Sequence, residues 1–208
     1  MDTVSAPTVD GRRLRGDRTR QTVLAHAVRI AGCEGLESLS FGRVALAAGV
    51  PKSTLQTLFK DRDGLQSQVL DAGAEAFAAG LRARLGGDGP ALHRLRHLCA
   101  AWFDLVEACE TPGGCLVTAA AAEFRCREGP LATKVAEHQA RWRQAVTQAV
   151  AAARAEGALR ADLDVDQLVF EILAFQGAAN LVAGRAGALD LVHARRAVEA
   201  LLTRAAAA

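Results

Sequence analysis

Apolar residues recur along this chain at intervals of three and four positions, the spacing of one face of an α-helix. The first such run predicts a helix over residues 17–34, which Gly32 and Gly35 end. Further runs predict helices over residues 41–48, 51–59, 61–85, 91–109, 115–125, 130–156, 165–183 and 189–204. We find no convincing alternation of apolar and polar residues that would indicate a strand. The pattern therefore predicts an all-α protein of about nine helices with short connections.

Residues 36–65 carry the densest local signals. Ser40 is a favourable N-cap for the helix over 41–48, and Asp61 is one for the helix that begins there. Gly49 supplies the left-handed conformation that a tight turn between two short helices requires. Two short helices with this spacing are how a small protein presents one helix to the major groove of DNA. The segment therefore predicts a helix-turn-helix DNA-binding unit.

The helix over 51–59 would read the DNA, with Val44, Ala48, Leu55 and Phe59 packing it on the rest of the unit. Glutamine can pair with adenine, and lysine with guanine or phosphate. The N-terminal amides of a helix can also hold a phosphate. The residues expected to contact DNA are Arg18, Thr19, Arg20, Ser40, Phe41, Arg43, Lys52, Ser53, Thr54, Gln56, Thr57 and Lys60.

The charge distribution agrees with this expectation. Residues 11–60 hold nine Lys/Arg against three Asp/Glu, a net charge of +6, and since the whole chain carries +2 the remainder carries −4. A basic N-terminal part joined to an acidic body suits a polyanion-binding head, although a solvated basic face is the alternative. Residues 1–16 are polar and are expected to form a flexible basic arm, from which Arg12, Arg13 and Arg15 could track the duplex or enter the minor groove.

Residues 35–65 resemble the N-terminal DNA-binding domain of the TetR family of bacterial regulators. The resemblance rests on Gly35-Leu36, Ser40-Phe41, the helix and turn from Val44 to Gly49-Val50, Leu55 with Phe59, and Asp61-Arg62-Asp63-Gly64-Leu65. Gly114-Cys115-Leu116 followed by Glu123-Phe124 is similar to a segment of one branch of the family. Three positions differ from the usual pattern: Pro51 replaces a serine, and Gln56 and Leu58 replace two aromatic residues.

The resemblance implies a DNA-binding domain over residues 17–62 and a helical ligand-binding and dimerisation domain over residues 63–208. It further implies a homodimer that binds a palindromic DNA operator, most often as a repressor, and that a small-molecule effector releases. The helix over 61–85 would act as the lever between the two domains. No cofactor is implied.

The helix over 165–183 is apolar around most of its circumference, so it needs cover on several sides. We expect residues 165–204, the last two helices, to form the subunit interface. A central core helix in a monomer is the alternative.

Aromatic and apolar walls with few polar groups suit small-molecule sites. The residues expected to line an effector pocket are Trp102, Phe103, Leu116, Phe124, Trp142, Phe175 and Gln176. For each of them, a place in the ordinary core is the competing interpretation.

Two other kinds of regulator remain open at this point. Cys109 and Cys115 flank one turn and could respond to oxidants, although buried thiols without reactivity are favoured. His93 and His97 stand four residues apart and could both bind a metal, but no further ligand motif supports a metal site. An all-helical enzyme or interaction module would need a cluster of catalytic polar residues, and none is visible. The five unpaired cysteines and the lack of a long apolar stretch favour a soluble cytoplasmic protein without contact to a membrane.

Overall fold

The computed structural model describes residues 11–86, 89–108, 113–183 and 189–207, with the backbone alone for residues 11–13. The described residues form nine α-helices and one short 3-10 helix, Leu36–Ser38, which confirms the all-α prediction. The α-helices are α1 Gly11–Glu34, α2 Phe41–Ala48, α3 Lys52–Phe59, α4 Arg62–Arg84, α5 Ala91–Glu107, α6 Leu116–Phe124, α7 Pro130–Ala155, α8 Val165–Asn180 and α9 Leu189–Ala205.

Helix α1 begins at Gly11, six residues before the predicted start, so residues 11–16 are helical rather than part of a flexible arm. The side chains of residues 14–18 are exposed, and the first buried side chain of α1 after them is Val23. An uncovered helix needs no apolar period, so the sequence pattern could not reveal this one. A glycine inside a helix costs about 1 kcal/mol relative to alanine, and the helix-forming arginines on either side of Gly16 offset this cost. Residues 1–10 of the predicted arm, and the side chains of Arg12 and Arg13, lie outside the description.

The predicted turn between α2 and α3 is confirmed in its geometry. The Ser40 hydroxyl accepts a hydrogen bond from the Arg43 amide at 3.3 Å, and Gly49 is left-handed with φ 64°. Pro51 precedes α3 without a capping side chain. Asp61 caps α4 by accepting a hydrogen bond from the Gly64 amide at 2.7 Å. These caps fix where each helix begins, and thereby how α3 is set against α1 and α4.

The core of the head, the unit formed by α1–α3, contains Val44, Leu55 and Phe59, which pack on the buried side of α1. In the body, α5 packs against α4, α7 and α9, and carries the buried Trp102 and Phe103. Helices α8 and α9 pack along each other. Both ends of α4 are thus covered by different neighbours, α3 at its start and α5–α7 further along.

Two glycines let neighbouring helices approach α4 closely. A Cβ atom on Gly73 would lie 2.7 Å from Cδ2 of Leu116, and one on Gly80 would lie 2.7 Å from Cδ2 of Leu105. Such separations are below van der Waals contact, so each glycine is a notch that a leucine fills. The two leucines come from α6 and α5, and α4 is therefore gripped from two sides.

The end of the described chain adds one short extended contact to the helices. The Arg160 amide donates to the Ala205 carbonyl and the Ala207 amide donates to the Ala158 carbonyl, both at 3.0 Å. These bonds form an antiparallel bridge between Leu159 and Ala206 that ties α9 to the α7–α8 connection. Among the described helices, none combines the length and the apolar character that crossing a membrane requires.

Candidate DNA-binding surface and ligand cavity

Helix α3 presents one polar, solvent-exposed stripe. Lys52, Ser53, Gln56, Thr57 and Lys60 are all exposed, and they form two rows at four-residue spacing, positions 52, 56 and 60 and positions 53 and 57. On a helix such spacings place the side chains on one face. The opposite face holds the buried Leu55 and Phe59. The stripe therefore has the amide, hydroxyl and ammonium groups that can meet base edges and phosphates.

Two residues expected to contact DNA are half-buried rather than exposed. Thr54 is half-buried, because its position on α3 falls between the exposed stripe and the core. Phe41 is half-buried and packs against the core. Leu58, one of the three departures from the family pattern, is likewise half-buried against the core.

The other residues expected to contact DNA differ in the hydrogen bonds and ion pairs that they form within the chain. Arg18 is exposed on α1, while Thr19 donates its hydroxyl hydrogen to the Arg15 carbonyl at 2.9 Å. Arg43 pairs with Glu34 at the surface. A surface ion pair contributes about 0–1 kcal/mol, so a phosphate can compete for Arg43.

Arg20 has internal partners that the sequence did not predict. Its guanidinium donates to the Gln68 side chain and lies over the Phe59 ring, with Cζ 5.4 Å from the ring centroid. This places Arg20 at the meeting point of α1, α3 and α4. Contact of Arg20 with the DNA backbone stays a prediction, and such a contact would have to draw the side chain away from these partners.

Lys60 ends α3 in an unusual backbone conformation. Its φ is 63°, and it is the one non-glycine residue with positive φ among the described residues. A backbone conformation so sparsely populated costs a non-glycine residue about 1–3 kcal/mol. In this conformation Lys60 ends the exposed stripe of α3, and Asp61, the cap of α4, follows it directly.

The body contains a cavity of about 570 Å³ between α4, α5, α6 and α7. Its aromatic wall is Phe77, Trp102 and Trp142, and the rings of Phe77 and Trp102 lie 6.1 Å apart. Trp102 and Trp142, both among the residues expected to line an effector pocket, lie in this wall, and binding of an effector there stays a prediction. A volume of this size with mainly apolar walls suits a small organic molecule.

The other five predicted pocket residues do not line this cavity. Phe103 is buried behind Trp102, Leu116 fills the Gly73 notch, and Phe124 lies under Arg127. Phe175 is half-buried against the core. Gln176 is buried one layer behind the cavity, where it accepts a hydrogen bond from Nε1 of Trp142 at 2.9 Å. The four apolar members of this group fill the spaces between helices, and apolar character alone does not distinguish such residues from those that line a cavity.

The polar end of the cavity was missed by the sequence analysis. Asp71 of α4 accepts hydrogen bonds from Lys134 at 2.6 Å and from His138 at 2.9 Å, and Lys134 also donates to Ser67 at 2.7 Å. Partial burial raises the pKa of Asp71, but the hydrogen bonds and charges of Lys134 and His138 outweigh it and hold the pKa below its ordinary value. The available signal was a pair of polar residues four apart on each helix, Ser67 with Asp71 and Lys134 with His138.

A second polar cluster joins the body to the head. Glu123, at the end of α6, accepts hydrogen bonds from the backbone amides of Leu36 at 2.9 Å and Glu37 at 2.8 Å. Arg127 pairs with Glu37 at 3.1 Å. These residues lie more than eighty positions apart in the chain, so no local pattern could have revealed the contact.

The cysteine and histidine alternatives gain little from their surroundings. Burial raises the pKa of the Cys115 thiol, which disfavours the reactive thiolate. Its predicted redox partner, Cys109, lies outside the described residues. His93 and His97 stack with ring centroids 4.0 Å apart, and within the described ranges no three His, Cys, Asp or Glu side chains gather as a metal site would need.

An exposed polar recognition helix on a compact three-helix head, carried by a helical body with a cavity, defines a DNA-binding regulator of the helix-turn-helix class. A sequence model of the family described as "Tetracyclin repressor-like, C-terminal domain" matches residues 91–201, just over half of the chain. This chain belongs to the TetR family of DNA-binding transcriptional regulators. Members of that family are regulators and not enzymes, and they bind DNA and dimerise.

Solved structures share the whole fold. A TetR transcriptional regulator from Chloroflexus aurantiacus has a TM-score of 0.84 and 22% identity, over 93% of this chain and 98% of that one. A proposed transcriptional regulator from Saccharomonospora viridis, solved in complex with choline, has a TM-score of 0.76 and 18% identity, over 91% and 98%. A ketosteroid transcriptional regulator from Mycobacterium tuberculosis has a TM-score of 0.67 and 19% identity, over 98% and 99%. No curated protein sequence matches the chain.

Proposed function

We propose that the protein is a ligand-responsive dimeric repressor, which binds a palindromic operator and leaves it when a small molecule fills the cavity. The observation that carries this proposal is the course of α4. Only two residues separate the end of α3 at Phe59 from the start of α4, and the stretch of α4 from Asp71 to Arg82 lines the cavity. One rigid element therefore touches both the recognition helix and the wall of the ligand site, as a lever would.

The division into two domains follows from the same helix. We propose a DNA-binding domain of residues 17–62, extended back to Gly11 by the longer α1, and a ligand-binding and dimerisation domain of residues 63–208. The stripe on α3 belongs to the first domain and the cavity to the second.

The dimer would form through α8 and α9, within residues 165–204. Four large apolar side chains within this range face solvent in the single chain: Phe170, Leu181, Leu189 and Val192, with exposures of 57%, 74%, 70% and 39%. Apolar patches of this kind mark interaction surfaces. Two recognition helices about 34–36 Å apart would then meet successive major-groove turns of a two-fold symmetric site.

The effector is expected to be a mainly apolar molecule with one polar group. Phe77, Trp102 and Trp142 offer it a flat aromatic wall, and Asp71 with His138 offers hydrogen-bonding groups at one end. An effector can shift the equilibrium only by binding the two conformations unequally. Competition for Asp71 would supply that difference, since Asp71 joins α4 to α7.

Selection of duplexes from a random-sequence pool tests the DNA-binding part of the proposal. We expect the purified protein to enrich an inverted repeat, and its affinity to fall with salt at a log-log slope of about −0.9 for each phosphate neutralised. Quantitative footprinting at several salt concentrations measures the slope. Enrichment of no sequence, together with salt-insensitive binding, would refute the proposal.

Filling the cavity tests the ligand-binding part. The neutral fluorophore N-phenyl-1-naphthylamine is expected to bind wild-type protein and to accept energy from Trp102 and Trp142, the only two tryptophans of the chain. Ala74→Phe should weaken this binding about tenfold or more, because extra volume in a packed site costs about 1–3 kcal/mol. Ala140→Phe, at an exposed position of α7, is the control and should change nothing. Equal affinities for the two variants would show that the probe binds elsewhere.

A further inference from the structure

Helix α6 is hydrogen-bonded at both of its ends to other parts of the molecule. At its start, the Asn180 side chain of α8 accepts from the Cys115 amide at 2.7 Å and donates to the Cys115 carbonyl at 3.2 Å. At its end, the Glu123 carboxylate accepts from the two amides at the start of the Leu36–Ser38 helix. Between these ends α6 is nine residues long, so it forms a short strut from the body to the head.

The start of this strut belongs to the cavity. Cys115 and Val117 line the cavity, and Leu116 between them fills the notch at Gly73 of α4. A molecule that enlarges the cavity on this side must move the first turn of α6, because protein interiors have no spare volume to absorb the change.

The other end of the strut fits the head with no free space. Gly35 has φ 88°, and a Cβ atom at this position would lie 2.9 Å from Oε1 of Glu123. Only glycine therefore lets the carboxylate reach both amides. Gln66 completes the cluster by donating to the Leu36 carbonyl at 2.8 Å.

Charge reinforces the same contact. Burial raises the pKa of Glu37, but its hydrogen bond to Arg127 and the charges of Arg127 and Arg62 outweigh that effect and hold the pKa below its ordinary value. Arg127 follows α6 closely in the chain, while Glu37 and Arg62 belong to the α1–α2 connection and the first residue of α4. The end of α6 thus contacts both the loop before α2 and, through Glu37, the start of the lever.

We propose that Glu123 is the positioning residue that couples the cavity to the DNA-binding head. When the first turn of α6 moves, the carboxylate moves with the helix and draws the α1–α2 connection with it. That connection sets the position of α2, which carries α3. The inference rests on the proposed ligand response, and adds to it a second route beside α4.

Thermodynamic reciprocity allows a test without the natural effector. If occupancy of the cavity changes DNA affinity, then DNA must change the affinity of the cavity for a probe by the same factor, typically 5–150-fold. The dissociation constant of N-phenyl-1-naphthylamine is measured with and without a saturating duplex selected from the random pool. The ratio of the two constants is the coupling factor, and a loss of stability alone does not set it to one.

The variants are Glu123→Ala, Glu123→Gln and, as a control of equal charge change at a nearby exposed position, Glu128→Ala. We expect wild-type protein and Glu128→Ala to share one coupling factor. Glu123→Ala should bring the factor several-fold closer to one and leave only the part that α4 transmits, and Glu123→Gln, which keeps one acceptor oxygen, should lie between. Amide hydrogen exchange at Leu36 and Glu37 should accelerate in proportion.

Each result decides the proposal. A wild-type coupling factor in Glu123→Ala, with fast exchange at Leu36 and Glu37, would overturn the role of Glu123 and leave the ligand response intact. A factor of one in the wild type would overturn the ligand response, and the role of Glu123 with it. If Glu123→Ala does not fold, the isosteric Glu123→Gln decides by the same comparison.

Discussion

Replacing Lys52 and Gln56 together by alanine is expected to lower DNA affinity about a hundredfold, while the dimer and its thermal stability stay unchanged. Both side chains are exposed, one turn apart, on the polar stripe of α3. A well-placed base contact is worth about 1–3 kcal/mol, and a lysine contact to phosphate adds a further electrostatic contribution. Neither residue packs in the core, so the folded state loses nothing when they are truncated.

The single substitutions should separate the two kinds of contact. Lys52→Ala is expected to weaken binding to all sequences alike and to reduce the salt slope by about one, as the loss of one phosphate contact does. Gln56→Ala is expected to keep the slope and to relax base preference at one position of each half-site. Footprinting against a set of single-base operator variants distinguishes them.

A matched pair elsewhere on the surface controls for the change of charge and size. Gln139→Ala with Arg143→Ala removes one amide and one cation from exposed positions of α7. This pair should leave the footprint unchanged. If Lys52→Ala with Gln56→Ala binds as well as this control, α3 is not the helix that reads DNA.

The second large effect is expected at Phe170, where an aspartate should raise the dissociation constant of the dimer at least about a hundredfold. Phe170 stands 57% exposed on α8, close in sequence to the helix's buried face at Leu168, Val169 and Ile172. In a dimer that covers the exposed face of α8, the substitution removes the aromatic contact of Phe170 and buries a carboxylate without a partner. A buried unpaired charge costs several kcal/mol, which accounts for the size of the effect.

Sedimentation at several protein concentrations measures the dimer directly. Leu46→Asp is the control, because Leu46 is the most exposed large apolar residue of the described chain, at 85%, and lies on α2 rather than on α8 or α9. Phe170→Asp should also weaken operator binding, since two linked recognition helices bind far more tightly than one. A Phe170→Asp protein that sediments as wild type would place the interface outside this face.

How far the sequence predicted the structure depended on whether the determining contact was local. Ser40, Gly49 and Asp61 act on amides or turns within a few residues, and all three ended or began helices where expected. The start of α1 was missed because residues 14–18 are exposed and therefore show no apolar period. Pro51 was expected to be the first residue of α3, but it is the extended residue immediately before the helix, which begins at Lys52.

The cavity and the head contacts depended on distant packing, and sequence reasoning reached them only in part. Trp102 and Trp142 line the cavity, yet Phe103 and Phe175 have the same apolar character and fill the core instead. Which of two neighbouring aromatic side chains meets open space is decided by the crossing of α4, α5 and α7. Glu123 stood in the sequence as part of a family-like segment, but its partners at Leu36 and Glu37 became visible only when the helices were assembled.

The two notches in α4 have a consequence for the stiffness of the lever. A glycine inside a helix costs about 1 kcal/mol relative to alanine, and α4 carries Gly73 and Gly80 in its interior. Without its neighbours, this helix would bend easily at either glycine. The helix is continuous from Arg62 to Arg84, and Leu116 and Leu105 fill the two notches from outside. The packing that supports α4 at its two glycines thus comes from α5 and α6, which also enclose the cavity. A molecule that repacks the cavity therefore changes the stiffness of α4 as well as its direction.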